Sequence, residues 1–511
     1  HDCVRRKQSF NISTTAENMM NKKLISLAVA AALAAPAAAM AEATLYGRLG
    51  ASLDYENITN QIAPTFATVT DPRTTSIVDN GNGTITIDGI YGPDDDPWTL
   101  TTTPELLEAN PGALNRIIIL DANGNPVIAT PGQDFDGWGA NQQGLLRGAG
   151  PSNRVGVKGS EDLGNGLKAI YQLEFGVNFG DNNIPSGSNG GVSIRNSFVG
   201  LAGSWGTILA GRHDTPLKIS TGKLDLFADT MADYNGTVGF DDIRADNAVG
   251  YISPSFSGFS FAGAIVSSGG GTAGQGNNIN SDQIAGAYSL AAIYNNGPFY
   301  ASAAYESLNS EMFMNSAISD AGSGACIDDV SGIPLLDCNY VDDDYNKWRF
   351  GLGLLDWNGF SLTAIYENQD NNAAGQQRTS LTVIDADGNI NIGSTPLGVS
   401  DQQLWQVQAG YAFGNNMFKA MYGSVDRGDT RALNATRAQT LAINNVGNIA
   451  DALTQDLEGD KSTWAVGFDH NFSKRTKAYV LYTNVDDDND DNILGTSASW
   501  DGFSLGMVHK F

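Results

Sequence analysis

The chain ends with 499-SWDGFSLGMVHKF-511, a stretch in which apolar residues alternate with small or polar ones. Phe503, Leu505 and Met507 occupy every second position, and Ser504 and Gly506 lie between them. A period of two predicts a β-strand with one apolar face. The rest of the sequence has to indicate whether that face contacts a protein core, a partner or lipid.

The composition limits the classes of protein. The 511 residues carry a formal net charge of −27 with only 17% charged residues, and they include 60 glycines and 17 tyrosines. A nucleic-acid-binding protein needs stripes of Lys and Arg, so nucleic acid is not expected as a partner. Glycine and aromatic residues in short segments favour an all-β fold. Mean hydropathy is −0.20, and no run of about 18 apolar residues follows residue 41, which argues against a helical membrane protein.

A secretory signal peptide is predicted from Met20 onward. Two lysines follow this methionine, an Ala-rich apolar segment comes next, and small residues at 39–41 form a cleavage site. We therefore interpret residues 1–19 as mis-called upstream sequence, 20–41 as the signal peptide and 42–511 as the mature chain.

Cys326 and Cys338 are the cysteines of the predicted mature chain, because Cys3 precedes the signal peptide. Export places them in an oxidising compartment, where two cysteines in one loop favour a disulfide over two reactive thiols. We expect a local disulfide between Cys326 and Cys338.

The alternating pattern repeats along the mature chain. Residues 167–178 and 405–413 place aromatic and aliphatic side chains on one face and Lys, Gln, Glu or Gly on the other. We count sixteen such strands, with seven short turns and eight long polar loops between them. The short turns lie at residues 164–166, 204–206, 257–258, 295–298, 358–359, 414–416 and 473–475.

A sheet of this size is expected to close on itself, since an open sheet would leave bare edges. An even strand number, apolar-out alternation, and short turns at one rim with long loops at the other are typical of transmembrane barrels. A bilayer also excludes unpaired backbone groups, which only a closed barrel avoids. The sequence therefore predicts an all-β fold, a transmembrane antiparallel β-barrel of about sixteen strands.

Residues 57–151 interrupt this regularity, because 95 residues separate the first two predicted strands. Residues 79–89 and 116–132 each have the pattern of a small hairpin turned at an Asn/Gly pair. A structureless loop of this length is uncommon. We expect a folded extracellular insert.

Five stretches resemble Gram-negative general porins. They lie at residues 43–55, 153–177, 193–218, 244–261 and 502–511, and their motifs are specific in combination. The resemblance implies a homotrimeric sixteen-stranded barrel in the outer membrane, through which small hydrophilic solutes and ions pass by passive diffusion. It also implies that the third long loop, residues 218–246, folds into the lumen as a constriction. Neither a cofactor, a bound metal nor an enzymatic activity is expected.

The resemblance assigns a basic cluster to the wall of this constriction. Its members occupy inward-facing or matching positions, and they are Arg48, Arg154, Arg195 and Arg244, with Arg212 and Lys158 nearby. A charge in a wet lumen can also be merely solvated, and Arg195 could instead lie at a contact between subunits.

The facing acidic residues are predicted on the third loop. Asp225, Asp229 and Asp233 are spaced by four, as on one face of a short helix, and Asp241 and Asp242 follow. Basic residues on one wall and acids on the other would create a transverse field that disfavours apolar solutes. The acidic loops favour a weak cation preference, whereas the arginines oppose it.

Further partners follow from the strand ends and loops. Phe511 resembles the terminal signal read by the barrel-assembly machinery, and the last strand is expected to pair with residues 44–50, with its apolar face on lipid or a neighbouring subunit. Asp runs at 94–96, 342–344 and 486–488 are interpreted as solvated loop tips rather than Ca²⁺ sites. They could bridge through divalent ions to lipopolysaccharide.

Three alternatives remain. A structural or adhesive barrel would bind a surface partner through the insert. A substrate-specific channel, for example for sugars, would need a line of lumenal aromatic residues, and Tyr46 and Tyr479 are too few to argue for one. The G-x-S-x-G match at residues 502–506 would suggest an esterase. However, a nucleophile elbow needs a strand-to-helix turn, and this match lies within a strand.

Overall fold

The computed structural model describes seventeen segments of the chain. They are residues 43–62, 65–66, 73–81, 85–91, 96–102, 117–119, 128–131, 133–141, 153–177, 192–266, 284–308, 344–370, 377–384, 389–397, 401–427, 459–488 and 499–511. The predicted signal peptide, the Cys326–Cys338 disulfide and the Asp runs at 94–95 and 342–343 lie outside these residues. None of the described helices is long and apolar enough to cross a membrane.

The described residues form 26 strands and two short helices. The strands before the helices are β1 (Thr44–Ile62), β2 (Thr65–Phe66), β3 (Arg73–Asp79), β4 (Ile85–Tyr91), β5 (Asp96–Thr102), β6 (Ile117–Ile119), β7 (Ile128–Thr130), β8 (Gln133–Asn141), β9 (Arg154–Gly164), β10 (Leu167–Val177), β11 (Val192–Ile194), β12 (Ser197–Gly203) and β13 (Gly206–Asp214). The helices are α1 (Pro216–Thr221) and α2 (Tyr234–Thr237). They are followed by β14 (Arg244–Ile252), β15 (Phe259–Val266), β16 (Ala287–Asn296), β17 (Phe299–Leu308), β18 (Tyr345–Trp357), β19 (Phe360–Asp370), β20 (Gln377–Ile384), β21 (Asn389–Leu397), β22 (Gln402–Phe413), β23 (Asn416–Arg427), β24 (Gly459–Asn471), β25 (Thr476–Asp487) and β26 (Trp500–Lys510).

The barrel is a closed antiparallel ring, which confirms the predicted fold. The order around the ring is β1, β8 with β9, β10, β11 with β12, β13 to β19, β22 to β26, and β1 again. Two ring positions are built from two segments each. The segments β8 and β9 lie end to end along β1, and β11 and β12 lie end to end along β10. With each such pair taken as one strand, the described residues give the sixteen strands that were predicted.

Short turns join neighbouring strands at all seven predicted positions. In the turn between β9 and β10, Gly164, Asn165 and Gly166 have φ values of 87°, 54° and 77°. This left-handed region suits glycine and, less readily, asparagine. The strands and short turns therefore form where the local sequence predicts them.

The first and last strands close the ring. β26 pairs with β1 from Arg48 opposite Lys510 to Ile58 opposite Trp500. Beyond β26, the Phe511 N–H donates to the Gly47 carbonyl (3.1 Å), and the Gly47 N–H donates to the Phe511 carbonyl (3.0 Å). The last strand thus pairs with the first, as predicted, but along residues 47–58 and not 44–50.

The two faces of β26 have different surroundings. Leu505 and Met507 point outward and are 52% and 55% exposed, whereas Ser504 and Val508 point inward and are buried. The apolar face of the opening stretch thus lies on the outer surface of the barrel.

The insert differs from its predicted form. The β1 strand continues to Ile62 and pairs with β8 over residues 133–141, so these barrel-associated strands extend into residues 57–151 from both sides. The hairpin predicted around residues 79–89 is present as β3 and β4. In the described part of residues 116–132, β6 and β7 do not pair with each other as the predicted hairpin requires, because β6 pairs with β20 and β7 pairs with β2. Partners distant in the chain override the local turn signal there.

Candidate functional site

A loop of residues 215–243 enters the barrel between β13 and β14. Its base is closed by the Thr215 N–H, which donates to the Ile243 carbonyl (3.1 Å). Pro216 begins α1, where its missing N–H is not needed, and Thr215 caps this helix by accepting a hydrogen bond from the Lys218 N–H (3.4 Å). This loop is the constriction loop predicted as residues 218–246.

Apolar residues of the constriction loop pack against one side of the inner wall. Phe227 and Met231 join a buried cluster with Tyr479 and Val508 on the last strands. A second cluster contains Leu224, Tyr234, Val238 and Phe240 of the loop with Tyr300, Ile365, Leu404 and Val425 of the wall. The loop therefore covers the side of the lumen formed by β17 to β26.

Buried ion pairs fix the C-terminal part of the loop to the same wall. Lys347 Nζ lies 2.7 Å from Glu306 Oε1 and 3.0 Å from Asp241 Oδ2. Arg349 Nη1 lies 2.5 Å from Asp242 Oδ1. Asp241 and Asp242 thus anchor the loop to β18. The sequence had suggested that they face the arginines of the opposite wall, and this prediction was wrong.

Arg349 also contacts the wall and the base of the loop. Its Nε donates to Glu367 on the neighbouring strand β19, and its Nη1 donates to Thr221 Oγ1 (3.1 Å). The side chains of Arg349 and Glu367 are fully buried. Such a network leaves a charge without compensation if one partner is removed.

The three acids spaced by four do not share a helix face, which corrects the predicted arrangement. They lie in turns between α1 and α2, and Asp229 has a left-handed φ of 58°. Asp225 accepts hydrogen bonds from the Phe227 N–H (2.8 Å) and from Gln408 Nε2 (2.9 Å) of the wall. Asp233 caps α2 and accepts from the N–H groups of Asn235 (2.9 Å) and Asp229 (2.7 Å). Asp225 and Asp233 are therefore structural residues of the loop.

Burial changes the acidity of these two carboxyl groups. It raises the pKa of Asp225 to about 6, although hydrogen bonds from Gln408 and the backbone oppose the shift. Burial and the nearby Asp225 raise the pKa of Asp233 well above its ordinary range. Asp229, whose side chain is 27% exposed, is the loop acid that pairs with the basic wall, through Arg48.

The basic wall begins on β1, β9 and the segment before β12. Glu174 on β10 holds two of its arginines: Arg195 Nε donates to Glu174 Oε1 (2.8 Å), and Arg154 Nε lies 3.8 Å from Glu174 Oε2. Tyr46 also donates to Glu174 Oε2, at 2.9 Å. Arg154 and Arg195 are thus brought together on this wall through Glu174.

A second acid, Asp214, positions Arg244. Arg244 Nη2 lies 3.0 Å from Asp214 Oδ1, and Lys218 Nζ lies 3.3 Å from the same oxygen. Asn196 hydrogen-bonds to both members of the Arg244–Asp214 pair, because its Oδ1 accepts from Arg244 Nε (2.7 Å) and its Nδ2 donates to Asp214 Oδ2 (2.8 Å).

The two remaining predicted basic residues have different partners. Arg212 pairs with Asp246 on β14, and its Nε donates to the Ile194 carbonyl (3.0 Å). Lys158 is exposed, with its Nζ 5.1 Å from the centre of the Tyr46 ring.

The constriction opens towards the short-turn rim into a cavity of about 300 Å³. Its described lining contains six basic residues and two acidic ones. The basic residues are Arg48, Arg154, Lys474, Arg475, Lys477 and Lys510, and the acids are Asp225 and Asp229. Asp225 is buried and held by hydrogen bonds, so Asp229 is the more accessible of the two acids.

Sequence reasoning missed Glu174, Asp214, Gln408, Lys347 and Arg349 as site residues. The alternation of their strands places Glu174 and Arg349 on the inward-facing side, but it does not predict which residues they contact. Lys474 and Arg475 lie in a predicted short turn, and only the fold brings them to the mouth of the lumen.

Other predicted or alternative sites receive less support. No group of three His, Cys, Asp or Glu residues suited to a metal ion occurs among the described residues. Ser504 of the G-x-S-x-G match is 1% exposed and lies within β26. Tyr479 is buried in the cluster beneath the loop tip, so it does not contribute to an aromatic track for sugars.

A closed β-barrel with an apolar exterior and a charged lumen narrowed by an internal loop defines a membrane channel. The sequence profile of the Gram-negative porin family matches residues 128–492, and the chain belongs to that family. It is an outer-membrane porin, a channel for passive diffusion.

Two relatives by sequence agree with this assignment, one from Neisseria and one from Bordetella. A major outer membrane protein P.IA of Neisseria meningitidis serogroup B is 26% identical over 380 residues, which cover 70% of this chain and 81% of the relative. An outer membrane porin protein of Bordetella pertussis is 34% identical over 175 residues, 32% of this chain and 44% of the relative. The solved anion-selective porin from Comamonas acidovorans has 17% identity and a TM-score of 0.48, over 92% of this chain and all (100%) of that one.

Proposed function

We propose that the channel admits small hydrophilic solutes and ions and prefers anions. This reverses the weak cation preference that the acidic loops suggested. The observation that carries the proposal is the lining of the cavity at the short-turn rim, where six basic side chains accompany Asp229 and the buried Asp225. A narrow, low-dielectric passage lined by one sign of charge concentrates ions of the opposite sign.

The arrangement of the loop acids supports the same preference. Asp241 and Asp242 are ion-paired at the wall with Lys347 and Arg349, which they share with Glu306 and Glu367. Asp225 is held by the loop backbone and by Gln408. The acids that were expected to balance the arginines are thus mostly used to hold the loop, and the positive charge of the opposite wall prevails.

The test is the reversal potential of purified channels in a planar bilayer across a KCl gradient. For the wild type, we expect a reversal potential with the sign of a channel that is more permeable to chloride than to potassium. For the double variant Arg475→Gln, Lys510→Gln, we expect a smaller reversal potential of the same sign. Arg73→Gln is the matched control, because Arg73 is exposed on β3 of the insert. A cation-selective wild type would overturn the anion preference, and a wild type without conductance would overturn the channel function itself.

We also propose that the porin assembles as a homotrimer in contact with membrane lipid and lipopolysaccharide. The half-exposed apolar face formed by Leu49, Leu53, Leu505 and Met507 supports burial against lipid or a second copy. Export through the signal peptide at 20–41 and recognition of Phe511 by the barrel-assembly machinery complete this proposal. Light scattering of the detergent-solubilised protein measures the oligomer, and a monomeric mass would contradict it.

A further inference from the structure

The insert and a distant loop share one sheet outside the barrel ring. Its strand order is β3-β4-β5-β21-β20-β6. The hairpin β20–β21 belongs to the loop between β19 and β22, whereas β3 to β6 belong to the insert. Parallel pairing of β5 with β21 and of β6 with β20 places this hairpin between two strands of the insert. The two loops are therefore interlocked.

A two-stranded ribbon connects the insert to the barrel. β1 pairs with β26 only as far as Ile58, but it continues beside β8 to Ile62, and β2 pairs with β7 further along. From Ile58 to Phe66 the ribbon can rise by roughly 25 Å, at about 3.3 Å per residue. The insert strands are thus carried beyond the rim formed by β26.

The interlocked loops leave the barrel at separate points of the rim. By the shorter way around the ring, β22 is five strands from β1. A straight connection between two separated points on a ring passes over its opening. We propose that β3 to β6 and the β20–β21 hairpin form a strap across the long-loop mouth, a second filter in series with the constriction.

The strands of the strap act by width and not by charge. β3 to β6 and the β20–β21 hairpin contain three acidic and two basic residues, namely Asp79, Asp88, Asp96, Arg73 and Arg378. The strap lies at the opposite end of the lumen from the basic cavity, so a solute meets two restrictions in series. Large solutes are restricted most, because they meet the width of the strap.

Engineered disulfides test whether the two loops pair. Ile118 and Val383 are register partners in β6 and β20. The double variant Ile118→Cys, Val383→Cys should form a cross-link that mass spectrometry maps in the purified, oxidised protein. The control Ile118→Cys, Thr379→Cys shifts one partner by four residues along β20 and should not. Equal cross-linking of both pairs, or of neither, would overturn the strap.

Deletion tests whether the strap filters solutes. Residues 377–397 and 73–119 are replaced, singly and together, by Gly-Ser linkers, and swelling of channel-containing liposomes is measured. Each deletion should raise the rate severalfold for a tetrasaccharide and leave the rate for glucose unchanged. The double deletion should add little, because either single deletion already breaks the shared sheet.

The strap rests on the proposed function in one respect, because its test needs a wild-type channel that conducts. Failure of the strap and failure of the channel give different results. An unchanged tetrasaccharide rate, or additive effects of the two deletions, with an active wild type would overturn the strap alone. A wild type that admits no solute would overturn the channel function.

Discussion

The side-chain amide of Asn153 forms both hydrogen bonds of a β-ladder with the backbone of Gly50. The Gly50 N–H donates to Asn153 Oδ1 (2.6 Å), and Asn153 Nδ2 donates to the Gly50 carbonyl (3.1 Å). Gly50 lies on β1 between the residues that pair with β8 and those that pair with β9. A side chain thus continues the ladder at the junction of two segments that together make one strand of the ring.

Replacing Asn153 with Ala should destabilise the barrel by about 1–3 kcal/mol, because the polar groups of Gly50 stay buried and lose this partner. Urea unfolding in detergent measures the change. Asn57→Ala is the control, since Asn57 is exposed and makes a longer bond to Asp501 (3.2 Å). Equal effects of the two substitutions would show that Asn153 does not support the junction.

Arg349→Met should destabilise the constriction loop by about 3–5 kcal/mol, because Glu367 and Asp242 would be left buried beside an uncharged side chain. The free energy of unfolding and the noise of single-channel currents should both change. Arg212→Gln is the control, because it removes an ion pair with Asp246, whose side chain is 67% exposed. We expect this variant to lower the free energy of unfolding by only about 0–1 kcal/mol. A quiet, stable Arg349 variant would show that the loop does not depend on this anchor.

Asp229→Asn should increase the anion preference, since it removes the accessible acid of the loop tip. One charge acting at short range through water is worth about 1 kcal/mol, so the permeability ratio should change by up to about fivefold at low salt. Asp225→Asn should change this ratio less, because Asp225 is buried against Gln408. Reversal potentials of both variants provide the measurement, and a larger shift for Asp225 would contradict the assignment.

Asp225 should make the protein less stable at neutral pH than at mildly acidic pH. Its pKa is about 6 in the folded chain against an ordinary 3.8, so the folded state binds a proton that the unfolded state releases. Stability therefore rises as pH falls from about 7 towards 4, by up to about 3 kcal/mol from this group. The Asp225→Asn variant should lack this gain in stability. The free energy of unfolding of both proteins, measured at about pH 7 and about pH 4, provides the test.

The sequence by itself determined the wall of the barrel. Alternation with a period of two gives each strand one apolar and one polar face, and left-handed residues such as Asn165 mark the turns. These signals are local, so the strand count, the seven turns and the pairing of the last strand with the first could be predicted, although the register of that pair could not. The inward positions of Arg48 and Arg154 followed from the same alternation and the family resemblance.

Only the tertiary structure decided what the loops do. Asp225 faces Gln408 and Asp242 faces Arg349, partners more than a hundred residues away that no helical spacing encodes. The failed hairpin at 116–132 has the same cause, because β6 pairs with β20 of another loop. A strand carries its pattern in its own residues, whereas a loop adopts the conformation that buries its apolar groups and pairs its charges against the wall that it meets.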